Sequence, residues 1–432
     1  MISVARLRRP VVFMAPGTIL ILVAIGGRYT LDRAGLQDLA WVDLRVIGLI
    51  AGLAVLAIDL ARRRPVVFGH RTEGWLVAST LFFLFQIGSG LWAPPGARAG
   101  AQSLDLVLMA ALTIAVYLYA VGNPAPVLRS VFVLFFLAAV VFALGALFVS
   151  SPGEQGRYSA FGGGPNVFVR IEIIGVISAV ALYQYTRRIL PLLVVPLFLL
   201  AAVLSGSRGG LLAGAAVGGV ALLRHRRRLR AGTVLAALIV LAAAVAIVWA
   251  LAPPAFISLF QDRFVQQTVE QHYTSDRTGI LESALRLAIE HPLVGAGLDG
   301  FYGLVGKSQG IEYPHNYVLG VAAEGGLVGL VLLAAAVVLW IRTVRGGGGH
   351  PREAGLAMSA AVYVALSSLF SGDYYDSRLA WLFAALAAAA AVTPAPAALT
   401  PATAVTPATA VTPTAARTPA AVAEPEPERL SR

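Results

Sequence analysis

The feature that most limits what this chain can become is the recurrence of uninterrupted apolar runs, each about as long as a bilayer core is thick and each ended by arginine, proline or glycine. A helix of about 20 apolar residues crosses about 30 Å of hydrocarbon. Such runs fall near 10–27, 41–61, 74–93, 104–122, 129–150, 166–185, 189–205, 208–223, 232–252, 315–341, 354–371 and 376–391. Twelve spans would use about 240 residues, in line with the 58% hydrophobic share of the 432 residues. Charged residues make up only 13% and the mean hydropathy is +0.78, which excludes a soluble globular domain. Continuous rather than alternating runs exclude an outer-membrane barrel. The reading is an all-α polytopic membrane protein with about 12 transmembrane helices. Cysteine is absent, which excludes disulfides, thiolate metal sites and a cysteine nucleophile.

The net charge of +11 must be sorted by side of the membrane before it says anything about partners. Lys307 is the only lysine, and arginine is the better residue for gripping phosphate bidentately. If Arg6, Arg8 and Arg9 are cytoplasmic, so are the loops that carry Arg62–Arg64, Arg71, Arg129, Arg187, Arg188, Arg224, Arg226–Arg228, Arg230, Arg342, Arg345 and Arg352. That satisfies the positive-inside rule, with the loop of Arg129 its weakest link, and puts both termini in the cytoplasm. The first run is an anchor, too long for a signal-peptide core and without a small-residue cleavage site after it. The predicted layout is helices 1–9 over residues 1–252, a large external loop over 253–314, helices 10–12 over 315–391 and a disordered Thr/Pro/Ala-rich cytoplasmic tail over 392–432.

The loop 253–314 is far longer than the other outer loops, and long loops are more often functional than not. Within it Ser275 can cap a helix that runs to about His291 and is closed by Pro292, with Ile280, Leu281, Ala284, Leu285, Ala288 and Ile289 on one stripe. Such an amphipathic helix lies on the outer membrane surface or caps a cavity.

Three polar motifs open outer-face helix N-termini: Gly164-Pro165-Asn166, Ser205-Gly206-Ser207-Arg208-Gly209-Gly210 and Pro314-His315-Asn316. Three N-termini meeting at one depth would make an anion site; taken singly, each reads more simply as a start signal with Asn166 or Ser207 as cap. Arg208 is costly at the membrane boundary, and although snorkelling would account for the charge, it does not account for the glycines around it. Gly210, Gly214 and Gly218 read more simply as a helix-packing face. His315 sits at the mouth of a span, where a neutral imidazole can take a proton from a sugar hydroxyl or merely cap the helix. Arg277 stands at a helix start, where a cation is disfavoured unless an anion is near: a ligand, or simply Asp276. Arg286, flanked by Glu282 and Glu290, is a solvated helix pair. Arg170 and Glu172 near the outer end of the sixth span are second-tier candidates, and Glu324 is an intramembrane carboxylate suited to brace Arg208 or another arginine. Gly295-Ala296-Gly297-Leu298-Asp299-Gly300 matches GxGxxG, but it follows a helix and lies outside, so a dinucleotide site is rejected. No P-loop, HExxH or cysteine pair appears, so neither ATP hydrolysis, a structural metal nor another cofactor is expected.

The ordered set GPN, LSGSRGG, HPLVGAGLDGF and YPHNYVLGVAAEGGLVGL, spread over about residues 161–335, resembles the O-antigen ligase and O-antigen polymerase family of bacterial envelope glycan enzymes. Arg170 and Glu172 are more polar than that pattern. The resemblance implies a GT-C-like membrane fold in the inner membrane. It implies a metal-independent, inverting glycosyltransferase that moves an undecaprenyl-pyrophosphate-linked glycan to an acceptor sugar hydroxyl on the external face. By matching motif positions it implies that Arg208 and Arg277 bind the pyrophosphate and that His315 activates the acceptor hydroxyl or holds it for in-line attack. Beside these, Asn166, Ser207, Asn316, Arg170 and Glu324 are the candidate substrate-binding residues.

Ligase and polymerase differ only in the acceptor, a core glycolipid such as lipopolysaccharide or the growing lipid-linked chain, and the residues do not separate them. The implied partners are a lipid-linked donor, a glycan or glycolipid acceptor and the bilayer, with no nucleic acid. A glycan or lipid transporter without chemistry is the alternative of a different class, favoured by an internal repeat that the sequence lacks. A scaffold protein would leave His315, Arg208 and Arg277 unexplained.

Overall fold

Apolar runs become helices in hydrocarbon because every backbone N–H and C=O must pair within its own segment. The computed structural model describes residues 16–27, 29–31, 36–62, 70–151, 153, 156–161, 163–225, 232 and 277–394. They form α1 (Pro16–Gly26), α2 (Leu44–Arg62), α3 (His70–Gly88), α4 (Ala99–Ala120), α5 (Pro124–Phe148), α6 (Pro165–Thr186), α7 (Leu190–Leu193), α8 (Val195–Leu204), α9 (Arg208–His225), α10 (Arg277–Glu290), α11 (Tyr317–Gly346), α12 (Pro351–Ser371) and α13 (Arg378–Val392). Among the described residues there is no strand, only a bridge between Thr30 and Asp43. Among the described residues seven segments are long and apolar enough to cross a membrane: α2, Gly74–Trp92, α4, α5, α6, α11 and α12. The chain is an all-helical, multi-pass membrane protein.

Each expected span coincides with a helix except 232–252, nearly all of which lies outside the described residues. So do residues 1–15 with Arg6, Arg8 and Arg9, the loop residues 253–276 with Ser275 and Asp276, and the tail from 395 onward. Arg129 falls inside α5 instead of in a loop, because Pro124 starts the helix a turn before its apolar run begins. The expected span 189–205 is two pieces, α7 and α8, each with a proline in its first turn.

At the centre stands α13, whose residues Leu382, Phe383 and Ala385–Ala391 are buried on every side. A helix apolar all round belongs in an interior, and its alanines let α4, α11 and α12 pack against it closely. Of the glycines expected to form a packing face on α9, Gly210 lies against Val169 and Gly214 against Ile173, both of α6, while Gly218 faces open space.

The departure from regular helix that matters is in α11. Gly326 has φ +58° and ψ −155°, so α11 breaks after Gly325. A break at membrane depth is tolerated only where protein re-pairs the freed backbone groups. Here the segment after α10 does so: Leu327 and Val328 N–H donate to the Pro292 and Leu293 carbonyls, and Ala296 and Gly297 N–H donate to the Ala323 and Glu324 carbonyls, at 2.9–3.0 Å. The approach is close enough that a Cβ on Gly295 would stand 2.2 Å from the Glu324 carbonyl carbon, and one on Gly326 2.5 Å from the Gly295 nitrogen. Gly326→Ala combines a left-handed backbone with that clash, and it is expected to destabilise the protein by about 2 kcal/mol or more. Thermal unfolding of the detergent-solubilised variant against the natural chain measures the loss.

Candidate active site

Five helix ends, the starts of α6, α9, α10 and α11 and the end of α12, carry or contact the sequence candidates. Asn166, in the first turn of α6, caps nothing; its Oδ1 accepts from Ser207 Oγ at 2.9 Å and from Arg157 Nη2 at 3.3 Å. Arg157 Nε also donates to the Ser205 carbonyl at 3.0 Å. The N-termini of α6 and α9 are thereby latched to each other, side by side with their unpaired N–H groups. Arg157 has no place in the motifs, and only the fold reveals it, since its partner Ser205 is 48 positions away.

Arg208 begins α9, followed by Gly209, whose missing Cβ leaves room for Phe370 near the end of α12. The Phe370 carbonyl accepts from Arg277 Nη1. Arg170, buried in α6, donates to Ser367 Oγ at 3.0 Å and to the Ser371 carbonyl at 2.8 Å. Two guanidinium groups therefore meet the last carbonyls of α12, where a helix C-terminus favours cations. This resolves the cation at the start of α10: Arg277 reaches across to an opposite helix end, while Asp276 lies outside the described residues. Burial and then the neighbouring Arg208 charge lower the Arg277 pKa, so the two guanidiniums stand close enough to repel.

His315 precedes α11 with φ +58°, uncommon for a residue with a side chain. Its ring packs on Tyr313 at 4.4 Å between centroids, and its Nδ1 is buried without a hydrogen-bond partner. Burial, then the Arg277 charge, lower its pKa to about 4, with Glu312 pulling the other way. The imidazole is neutral at pH 7. Asn316 is the N-cap of α11, its Oδ1 accepting from Leu319 N–H at 3.0 Å.

Two carboxylates serve other ends than the sequence suggested. Glu324 meets no arginine among the described residues: its oxygens accept from the Tyr374 and Tyr375 hydroxyls and from the Asp299 and Phe301 N–H groups. It sits at the break in α11 and ties the segment 292–301 and the loop after α12 to it. Asp299, fully buried, accepts from the Arg98 N–H, Nε and Nη2 and from Gln102 Nε2. GAGLDG is thus a stitching segment, Gly295 permitting backbone contact with α11 and Gly297 close approach to the Ser89 and Ala93 backbone. Glu172 is fully buried with both oxygens lacking hydrogen-bond partners. Beside the site, burial raises Asp373, with Arg170 opposing, and raises Tyr313 to about 12.

Residues 192–334 match the family model described as O-antigen ligase. Over that stretch, about a third of the chain, the sequence is similar to the O-antigen ligase family. No curated protein matches the chain. The matched stretch runs from α7 into the second half of α11, so it holds Ser207, Arg208, Arg277, His315, Asn316 and Glu324, while Asn166 and Arg170 precede it.

Because Arg277 and burial both disfavour the imidazolium, His315 is expected to remain neutral at pH 5.5, below the ordinary histidine pKa of 6.5. Nitrogen-15 spectra of histidine-labelled protein, assigned with His315→Gln, test this; a protonated ring at pH 5.5 would contradict the geometry.

Proposed function

We propose that this protein is a membrane glycosyltransferase that moves a glycan from an undecaprenyl-pyrophosphate carrier to an acceptor sugar hydroxyl at the external face of the inner membrane. The observation that carries the reading is the convergence of three elements on the end of α12: Arg277 Nη1 donates to the Phe370 carbonyl, Gly209 beside Arg208 lies against Phe370, and the Arg277 charge reaches both Arg208 and His315. Holding two guanidiniums together costs electrostatic energy that an incoming pyrophosphate would release. The latched N-termini of α6 and α9 add partial positive charge on the same side.

In the proposed reaction the acceptor oxygen attacks the anomeric carbon in line, and the bond from that carbon to the pyrophosphate oxygen breaks. The electron pair leaves with the prenyl pyrophosphate, whose added negative charge Arg208 and Arg277 stabilise without a metal. The acceptor proton passes to His315, and the anomeric centre inverts. A free-state pKa of about 4 makes His315 a weak base. Donor binding would offset the Arg277 charge and strengthen that base, so proton abstraction is favoured only when the leaving group is in place.

The test is transfer by purified protein in vesicles, given a lipid-pyrophosphate oligosaccharide with and without a separate acceptor. Arg208→Ala, Arg277→Ala and His315→Ala are each expected to lower turnover by about 100-fold or more while leaving the helical spectrum unchanged. A ladder of longer lipid-linked chains would identify a polymerase; product formed only with the separate acceptor would identify a ligase. Turnover that survives all three replacements in one folded chain would overturn the assignment.

A further inference from the structure

The helix α10 has three faces rather than the two expected of an amphipathic helix. Ala284 and Leu287 are buried, and with Ile280 they pack on Ala296, Phe301 and Ala323. Glu282, Arg286 and Glu290, one turn apart in succession, form an exposed charged face. Between them runs a second apolar face that stays open among the described residues: Leu285 is 52% exposed and Ile289 69%. The predicted single stripe is split because the seat against α11 takes only its Ala284 side.

This face does not end with the helix. Leu293 is 66% exposed and Val294 45%, and the backbone bonds from Leu327 and Val328 to Pro292 and Leu293 fix them beside Leu327 and Val331, which are 55% and 56% exposed on α11. Those α11 residues lie in a segment long and apolar enough to cross the membrane, so their exposed side chains face lipid. An apolar strip continuous with a lipid-facing one, and edged on its far side by charge, has the pattern of a helix lying at the bilayer surface.

We propose that α10 lies in the membrane interface, with Leu285, Ile289, Leu293 and Val294 inserted among the lipid chains and Glu282, Arg286 and Glu290 in water. Arg277, the first residue of that helix, is then held near headgroup depth. Taken with the function proposed above, on which this one consequence rests, a lipid-borne pyrophosphate meets Arg277 without leaving the bilayer.

The chain's lack of cysteine allows a direct test in the full protein. Leu285→Cys, Ile289→Cys, Arg286→Cys and Glu290→Cys, with Val331→Cys as the lipid-facing reference, each carry one nitroxide in vesicles of phosphatidylethanolamine and phosphatidylglycerol. All five sites are exposed, so the replacements disturb no core contact. Collision with oxygen, which concentrates in lipid, is compared with collision with a water-soluble nickel chelate. The expected result is oxygen preference at 285, 289 and 331 and nickel preference at 286 and 290. Nickel preference at 285 and 289 would overturn the proposal, as would exclusion of both reagents there with spin–spin broadening from a second copy. None of these readings depends on catalysis, so failure here and failure of the proposed function are separable.

Discussion

The Glu324 carboxylate, buried where α11 breaks, is the interaction on which the placing of α10 and of the loop after α12 depends. It accepts four hydrogen bonds, from two tyrosine hydroxyls and two backbone N–H groups. Removing a buried acceptor of this kind strands each donor at about 1–3 kcal/mol. Its partners come from the segment that follows α10 and from the loop that follows α12, so one side chain sets where both connect to α11. Arg277 begins α10 and His315 precedes α11. Their separation is therefore fixed by the stitched break, with α10 seated on the first half of α11 through Ala284, Leu287 and Ala323.

The break itself explains the glycines. A straight α11 would need no outside partners, but it would leave the segment 292–301 with unpaired N–H groups next to hydrocarbon. Breaking at Gly326 lends carbonyls to that segment and borrows others in return. The Arg98–Asp299 pair, with Arg98 stacked 3.7 Å over Tyr302, then fastens the outer side of the same segment to the start of α4.

Much of the architecture was legible in the sequence because hydropathy and proline placement act locally: the helices and the start of α6 at Pro165 follow from neighbours within a turn, whereas Asn316, read as a substrate-binding candidate, is the cap of α11. What was not legible depends on contacts far apart along the chain. Asn166 carries a capping residue's composition, yet its oxygen serves Ser207, 41 positions on. Glu324 looked like a brace for arginine because buried carboxylates commonly are, but Tyr374 and Tyr375 lie 50 and 51 positions away. The GxGxxG match was set aside on chemical grounds, and its glycines acquire a purpose only once the gap in α11 is seen. Arg208, Arg277 and His315 were found by motif, whereas their mutual electrostatics required the fold.

The account stands or falls on whether Glu324 holds the catalytic candidates in register. Nitroxides at Gly279→Cys, where a side chain meets open space, and at Val318→Cys, an exposed position in the first turn of α11, report the spacing between the starts of α10 and α11 by pulsed dipolar spectroscopy. The natural chain is expected to give one narrow distance distribution, and Glu324→Ala a broad one with its helical content retained. A distribution as narrow in Glu324→Ala as in the natural chain would contradict the account.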